Sequence, residues 1–287
     1  MTLPRDPRLW QLAFQAGLLL AGALLRDFSL RWEQVALTLA AALITQRLWL
    51  RALGLAHKGV LSAAITALGL ALLLRADSLW VHPLCAVLAI SGKFLIRVRG
   101  KHLFNPANLG VMLGVLLLPG AWFSPGQWGS DVAFAVWFVA LGGLVTARAS
   151  RWDISWAFLF CYFAFTGARA LWLGLPPAAW LHAANSGALL LFAFFMISDP
   201  MTTPDHRGAR LLFAAVVAAL AVVWTYGLFR PGGVLWALFL CAPLTPLLDR
   251  LLPAPRYVWP GAATGPGRGA PPAAAGPAVS GPGSAPG

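Results

Sequence analysis

Asn185-Ser186-Gly187-Ala188 opens an apolar run that closes on Ser198-Asp199-Pro200-Met201-Thr202-Thr203-Pro204, and this stretch decides how the chain is read. A membrane-length segment that begins with small polar residues and stops at an acid beside two prolines is more than a plain anchor. Its nearest counterpart is Phe104-Asn105-Pro106-Ala107-Asn108-Leu109-Gly110. Proline withholds a backbone donor and disfavours helix at the residue before it. Asn-Pro and Asp-Pro therefore interrupt helices and leave backbone groups in need of other partners. Inside a bilayer such breaks persist only where protein or a wet cavity satisfies them again. The two breaks are the predicted functional positions.

Working outward, the 287 residues are 59% hydrophobic and only 10% charged. A soluble domain carries about 25% charged residues. Apolar runs of roughly 17–20 residues follow one another and match the bilayer core. The predicted fold is all-α and polytopic. Ten spans are expected, at about 9–25, 32–50, 59–75, 78–97, 104–119, 131–148, 152–172, 180–198, 209–227 and 233–249. Residues 1–8 form a short basic N-terminus, 9–258 the membrane domain, and 259–287 a Pro/Gly/Ala-rich tail too poor in large apolar residues to order itself.

The net charge of +12 does not point to nucleic acid, because the basic residues are spread over the loops without interleaved aromatics. Topology explains it. With the N-terminus inside, the outer segments carry only Arg26, Arg31, Arg75 and Arg230, Arg169 lies within a span, and every other Lys and Arg falls inside. Such asymmetry places both termini in the cytoplasm and the chain in the cytoplasmic (inner) membrane. Tryptophans at span ends, among them Trp10, Trp32, Trp49, Trp80, Trp152, Trp172 and Trp180, read as interfacial anchors. Cys85, Cys161 and Cys241 sit singly in apolar runs, short of the four thiolates an iron–sulfur cluster needs, and read as small buried hydrophobes.

A weak repeat is visible. The third span, from Ser62-Ala63-Ala64 to Leu74-Arg75-Ala76-Asp77, is similar to the eighth, from Ser186-Gly187-Ala188 to Ile197-Ser198-Asp199-Pro200. Five spans apart, the two cross in opposite directions. That predicts two inverted five-helix halves, about 9–119 and 131–249, with a site at their shared interface.

All nine acids fall at span ends or in loops, so the predicted pocket is uncharged and lacks the deep acid of a proton relay. Lys93 and Arg169 lie near span ends and are expected to snorkel to the interface. For Lys93 the alternative is a cation facing a bound anion or a ring carbonyl. Asn105, Asn108 and Ser186, with Asp199, Thr202 and Thr203 at the inner side, offer hydrogen bonds suited to a neutral ring such as isoalloxazine or to a dehydrated monovalent cation. Equally, such residues cross-link helices. The five histidines show no i,i+4 pair and no acid partner at metal spacing, and no metal site is expected.

At these residues the chain resembles the RnfD/NqrB family of membrane subunits from ion-translocating respiratory flavoprotein complexes. Gly100-Lys101-His102-Leu103-Phe104-Asn105-Pro106-Ala107 is similar to the family's FNPA segment, and Ser186-Gly187-Ala188 with Phe194-Phe195-Met196-Ile197-Ser198-Asp199-Pro200-Met201-Thr202 to its SGA…FF-x-x-T-D-P-V-T stretch. Arg207-Gly208-Ala209-Arg210-Leu211 resembles the basic continuation. The resemblance implies ten spans in two inverted halves, as in urea transporters, and a flavin within or beside the bundle on the extracytoplasmic side. Relatives that bind FMN covalently use a threonine outside the membrane after the fifth span. Here that loop, at about 119–130, contains none.

The resulting expectation is a membrane subunit of an electron transport system, working with other membrane or extracytoplasmic redox subunits. FMN or riboflavin would be held non-covalently by Lys93, Asn105, Asn108, Ser186, Asp199 and Thr202. A channel or carrier for a small solute or ion is the alternative, and a scaffold for a soluble redox partner the third reading.

Overall fold

The computed structural model describes residues 6–25, 31–55, 59–124, 132–184 and 187–258. Among these residues the chain forms α1 (Pro7–Leu25), α2 (Trp32–Ala52), α3 (Val60–Leu73), α4 (Val81–Leu95), α5 (Pro106–Leu117), α6 (Val132–Arg148), α7 (Trp152–Trp172), α8 (Pro177–Ala184), α9 (Gly187–Phe195), α10 (Arg207–Val222), α11 (Gly233–Cys241) and α12 (Leu244–Leu251). Four short strands join them: β1 (Leu74–Ala76), β2 (Arg97–Val98), β3 (Lys101–His102) and β4 (Ala121–Phe123). The fold is all-α in its body. The tail from residue 259, Asn185 and Ser186 lie outside the described residues.

By length and composition, α2, α7 and the run from α10 through a π-turn to Gly227 are long and apolar enough to cross a membrane. The α11–α12 pair, bent by 49°, makes a fourth if counted as one span. The segments 59–75, 104–119, 180–198 and 233–249, expected as continuous spans, are shorter or broken. Pro243 explains the bend between α11 and α12, since it cannot donate into the preceding turn. α9 has nine residues and ends at Phe195, ahead of the Asp-Pro break.

α3 has 14 residues and α5 has 12. At about 1.5 Å per residue they fall well short of a hydrocarbon core of roughly 30 Å. Extended chain follows each of them. β1 pairs antiparallel with β4, setting Leu74 against Phe123, Arg75 against Trp122 and Ala76 against Ala121. The ladder is extended by Asp77 N–H to the Gly120 carbonyl (3.0 Å) and Ser124 N–H to the Leu73 carbonyl (2.9 Å). Gln34 on α2 donates to the Ala76 and Ser78 carbonyls at 3.0 and 3.2 Å. Non-helical backbone is thereby paired to protein, as an apolar surrounding demands.

α3 lies against α1, α2, α4 and α5, while α4 packs on α2 and α5. In the second half α9 lies against α6, α7 and α11, while α10 packs on α7 and α11. Between the halves α1 meets α6 and α5 meets α11. Phe158 and Phe192, both fully buried, join α7 to α9 with ring centroids 4.9 Å apart. Phe14 on α1 stacks on Phe195 of α9 at 4.6 Å. Small residues bring α4 and α5 close: a Cβ on Gly110 would stand 2.9 Å from the Cys85 carbonyl, the Ala89 methyl and Leu70.

The end of the bundle where α1 begins carries a buried ion network. Arg210 on α10 holds Asp153 at the start of α7, its Nε 3.0 Å and Nη2 2.6 Å from Oδ2. Lys101 on β3 reaches Asp205 (2.8 Å), Asp249 (2.9 Å) and the Thr203 carbonyl (2.9 Å). Asp205 N–H donates to Asp249 at 2.8 Å, and the Thr245 hydroxyl to the Thr202 carbonyl at 2.9 Å. The β2–β3 hairpin, the turn after α9, and the ends of α7, α10 and α12 are thus tied together.

Two stability outcomes follow from this packing. Gly110→Ala is expected to lower stability by about 1–3 kcal/mol, because one of the atoms it meets is a backbone carbonyl that cannot rotate away. Asp153→Asn strands the buried Arg210 guanidinium and is expected to cost about 3–5 kcal/mol, with much of the loss recovered in Asp153→Leu/Arg210→Met. Thermal unfolding in mild detergent measures both. A double variant no more stable than Asp153→Asn would contradict the ion-pair account.

Candidate functional site

Each of the two breaks folds into a hydrogen-bonded turn for a local reason. Asn105 is the N-cap of α5: its side-chain oxygen accepts from Asn108 N–H at 3.1 Å, and Pro106 occupies the first helical position. Asp199 builds the second turn. Its Oδ1 accepts from Met201 N–H at 2.9 Å, and its carbonyl accepts from the Thr203 hydroxyl at 3.0 Å and the Thr202 hydroxyl at 3.3 Å. The turns meet, with the Asn105 amide 3.4 Å from both Asp199 Oδ2 and the Met196 carbonyl.

Around this meeting point lies a cavity of about 440 Å³. Its walls come from the start of α1, the end of α2, one side of α3 from Ser62 to Leu73, the end of α4, the start of α5, and the ends of α6 and α9. It therefore sits between the two halves, near the end where the chain enters. Residues 119–124 follow α5 at the opposite end, so this cavity is not on the side where the family resemblance implied a flavin.

The cavity is not uncharged, which corrects the expectation drawn from acid positions alone. Lys93 does not snorkel. Its ammonium lines the cavity and donates to Ser62 Oγ at 2.9 Å and Gln46 Oε1 at 3.3 Å, both neutral partners. Asp199 also lines it, with His102 Nε2 3.7 Å from Asp199 Oδ2. Burial opposes ionisation of Asp199, but His102, the Met201 N–H and Lys93 together hold its carboxyl below the usual carboxylate range. The acid lay at a span end in sequence; the fold turns it inward.

Of the six residues chosen from sequence, Lys93, Asn105 and Asp199 line the cavity. Asn108 and Thr202 do not. The Asn108 amide donates to the Leu235 carbonyl at 3.2 Å and joins α5 to α11, the cross-linking role. Thr202 turns its hydroxyl back on the Asp199 carbonyl. Ser186 lies outside the described residues. His102 has the acid partner that sequence spacing did not reveal, 97 residues away.

Sequence reasoning passed over the glutamines. Gln11 and Gln15 stand one turn apart on α1 and both line the cavity. Gln15 is buried, and its Oε1 has no hydrogen-bond partner among the described residues. An orphaned buried acceptor is costly and asks for a donor. Gln46 is held in place from behind, since Gly59, with φ +111°, leaves room that a Cβ would take 2.7 Å from Gln46 Nε2. An i,i+4 glutamine pair in an otherwise apolar first span was the available signal.

The arrangement offers a cation with neutral partners, an acceptor lacking a donor, a carboxylate–imidazole pair, and apolar surface from Phe94, Ile65, Leu191 and Phe195. Its volume falls within the roughly 300–1,000 Å³ of small-molecule sites, which combine apolar walls with a few convergent polar groups.

Comparison with known proteins bears on the second of the two breaks, since the matched residues begin at 115. Residues 115–257 match the NQR2, RnfD, RnfE family. One of the relatives, an ion-translocating oxidoreductase complex component from Haemophilus influenzae (strain Rd), is 29% identical over 141 residues, covering 48% of this chain and 38% of that protein. The component of the same name from Stutzerimonas stutzeri is 36% identical over 119 residues, covering 39% and 32%. That of Tolumonas auensis is 40% identical over 65 residues, covering 23% and 19%. The matched segments thus span between a fifth and two fifths of these relatives' length. The second half of the chain is thus similar to the NQR2, RnfD, RnfE family.

Proposed function

We propose that this protein is an electron-transfer subunit of a membrane redox complex and that its cavity holds a flavin, FMN or riboflavin, without a covalent bond. The meeting of the Asn105 and Asp199 turns around a cavity that presents Lys93 and an unpartnered Gln15 acceptor carries the reading. The pyrimidinedione edge of an isoalloxazine shows two carbonyl acceptors flanking an N–H donor. Lys93 has donor capacity toward a carbonyl, and Gln15 Oε1 can accept from the N–H. Phe94 and Phe195 supply apolar surface for the ring system. When bound, a flavin supplies one- and two-electron chemistry; these residues supply binding, orientation and charge.

The same reading takes the bundle as ten passes in two inverted halves, with both termini cytoplasmic. The recurring helix contacts support it: α3 with α1, α2 and α5 is matched by α9 with α6, α7 and α11, and α1–α6 and α5–α11 are the contacts a twofold relation would map onto themselves. The relatives' membership in an ion-translocating oxidoreductase complex suggests membrane redox subunits as partners. Electrons would pass between them and the bound ring.

Protein purified in mild detergent and reconstituted with riboflavin or FMN is expected to retain close to one flavin per chain, released intact by acid. Absence of bound flavin in the visible spectrum after reconstitution would remove the proposal. Lys93→Met deletes a charged hydrogen bond worth about 1.5–3 kcal/mol, so affinity is expected to fall roughly 10- to 150-fold, measured by fluorescence titration. Unchanged affinity would show that the ring does not face Lys93.

A further inference from the structure

We propose that His102 carries protons between the surface at the N-terminal end of the bundle and the ring held in the main cavity, with Asp199 as the inner station. The inference rests on the flavin reading above and adds a route that the reading does not require.

A second, smaller cleft of about 150 Å³ lies beside the first and is walled by the β2–β3 hairpin, α12 and the segment after it. Among the described residues, His102 is the one that lines both spaces. It is buried, at 7% exposure, and sits on β3 opposite Arg97. Its Nε2 faces Asp199 Oδ2 at 3.7 Å, and the same oxygen is 3.4 Å from the Asn105 amide inside the cavity. A proton that crosses from His102 to Asp199 has crossed from cleft to cavity. Such contacts are commonly long before a ligand draws them together.

The other charged groups around His102 are committed. Lys101 is held by Asp205, Asp249 and the Thr203 carbonyl, which uses all three of its donors, while the other Asp205 oxygen faces Arg151 at 3.6 Å. Arg8 is paired with Asp6, and Arg97 donates to the Gly100 carbonyl. Arg99 and Arg256 line the cleft, and guanidinium keeps its proton. Lys93 is bonded to Ser62 and Gln46 on the far side of Asp199's cavity. Imidazole is the side-chain type built to exchange protons near neutral pH.

The balance is simple. A reductant, two equivalents of reduced methyl viologen in the test, supplies both electrons to the ring without taking up or releasing protons, and a ring nitrogen would then take up a proton. The His102 imidazolium would give one N–H proton to the Asp199 carboxylate as that carboxylate passes a proton to a ring nitrogen, so that Asp199, which its neighbours hold ionised, would accumulate no neutral acid. Neutral His102 takes its replacement from water in the cleft. No further electron donor or acceptor enters.

Riboflavin-loaded protein, with His102 intact or changed to Asn or Gln, is mixed with reduced methyl viologen, whose oxidation exchanges no proton, in a stopped-flow instrument containing a pH-indicator dye. Proton uptake is normalised to bound flavin. Uptake is expected to slow about 100-fold in both variants, the scale of a lost general acid, and to recover with added imidazole. Uptake at the unaltered rate, or slowed uptake that imidazole does not rescue, overturns the route while leaving flavin binding intact. Should neither variant fold, unaltered protein in vesicles sorted by the exposed side of the N-terminus gives the answer. Protons drawn from the N-terminal side support the route, and protons drawn from the opposite side overturn it. Failure of the unaltered chain to bind flavin removes the functional reading and this inference with it.

Discussion

An amide and a carboxylate 3.4 Å apart, Asn105 and Asp199, close two places where this chain stops being helical within its body. Every other feature of the cavity depends on that closure. A helix that ends inside an apolar body leaves orphaned backbone groups at its terminus. α5 solves its own problem with an Asn cap and a proline at the first turn, and the chain after α9 does so with an Asp-centred turn. Because the turns also contact each other, neither helix end needs a packed side chain in front of it. Space is left instead, and side chains from seven helices face it.

Two kinds of electrostatics operate at this end of the bundle. At the rim, Arg210–Asp153 and Lys101–Asp205–Asp249 make short contacts that fix the loops. Buried pairs of this kind contribute little net stability over apolar residues, but losing one partner is expensive, so they hold the rim in a single arrangement. Inside the cavity the contacts are longer and less complete. Lys93 has neutral partners, Gln15 has an acceptor unmet, and Asp199 meets His102 at 3.7 Å. A rigid rim around an incompletely satisfied interior is what a preformed ligand site requires, since the groups that would bind are already desolvated and held.

The sequence made the breaks legible because Asn-Pro and Asp-Pro carry their meaning locally: capping, a missing donor and a restricted preceding residue act within a single turn of chain. Much of the helical content was legible for the same reason. What was not legible acts over distance. His102 and Asp199, Lys93 and Ser62, Lys101 and Asp249 are separated by 97, 31 and 148 residues, and no local pattern pairs them. Lys93 was misplaced because closeness to a span end suggests snorkelling, whereas its direction depends on which face of α4 packs on α2 and α3. Spans were drawn too straight, because a hydrophobic run looks alike whether it is helix throughout or helix followed by a paired ribbon, as where α3 runs into β1.

The field inside the cavity bears on which ligand it suits. α1, α3 and α5 begin there while α2, α4, α6 and α9 end there, so partial positive charge from helix N-termini meets partial negative charge from C-termini. Lys93 adds a cation, and Asp199 a carboxylate that His102 faces at 3.7 Å. At Lys93 a dehydrated monovalent cation would meet a like charge, whereas the electron-rich carbonyl edge of the proposed flavin would meet a hydrogen-bond donor. On that proposal reduction would add negative charge to the ring, to be matched by a proton. The imidazole placed between cavity and surface is where the fold can supply one. Beside Lys93 the proposed redox reading is better accommodated than the cation-carrier reading, because an ammonium donates to a carbonyl and repels a cation.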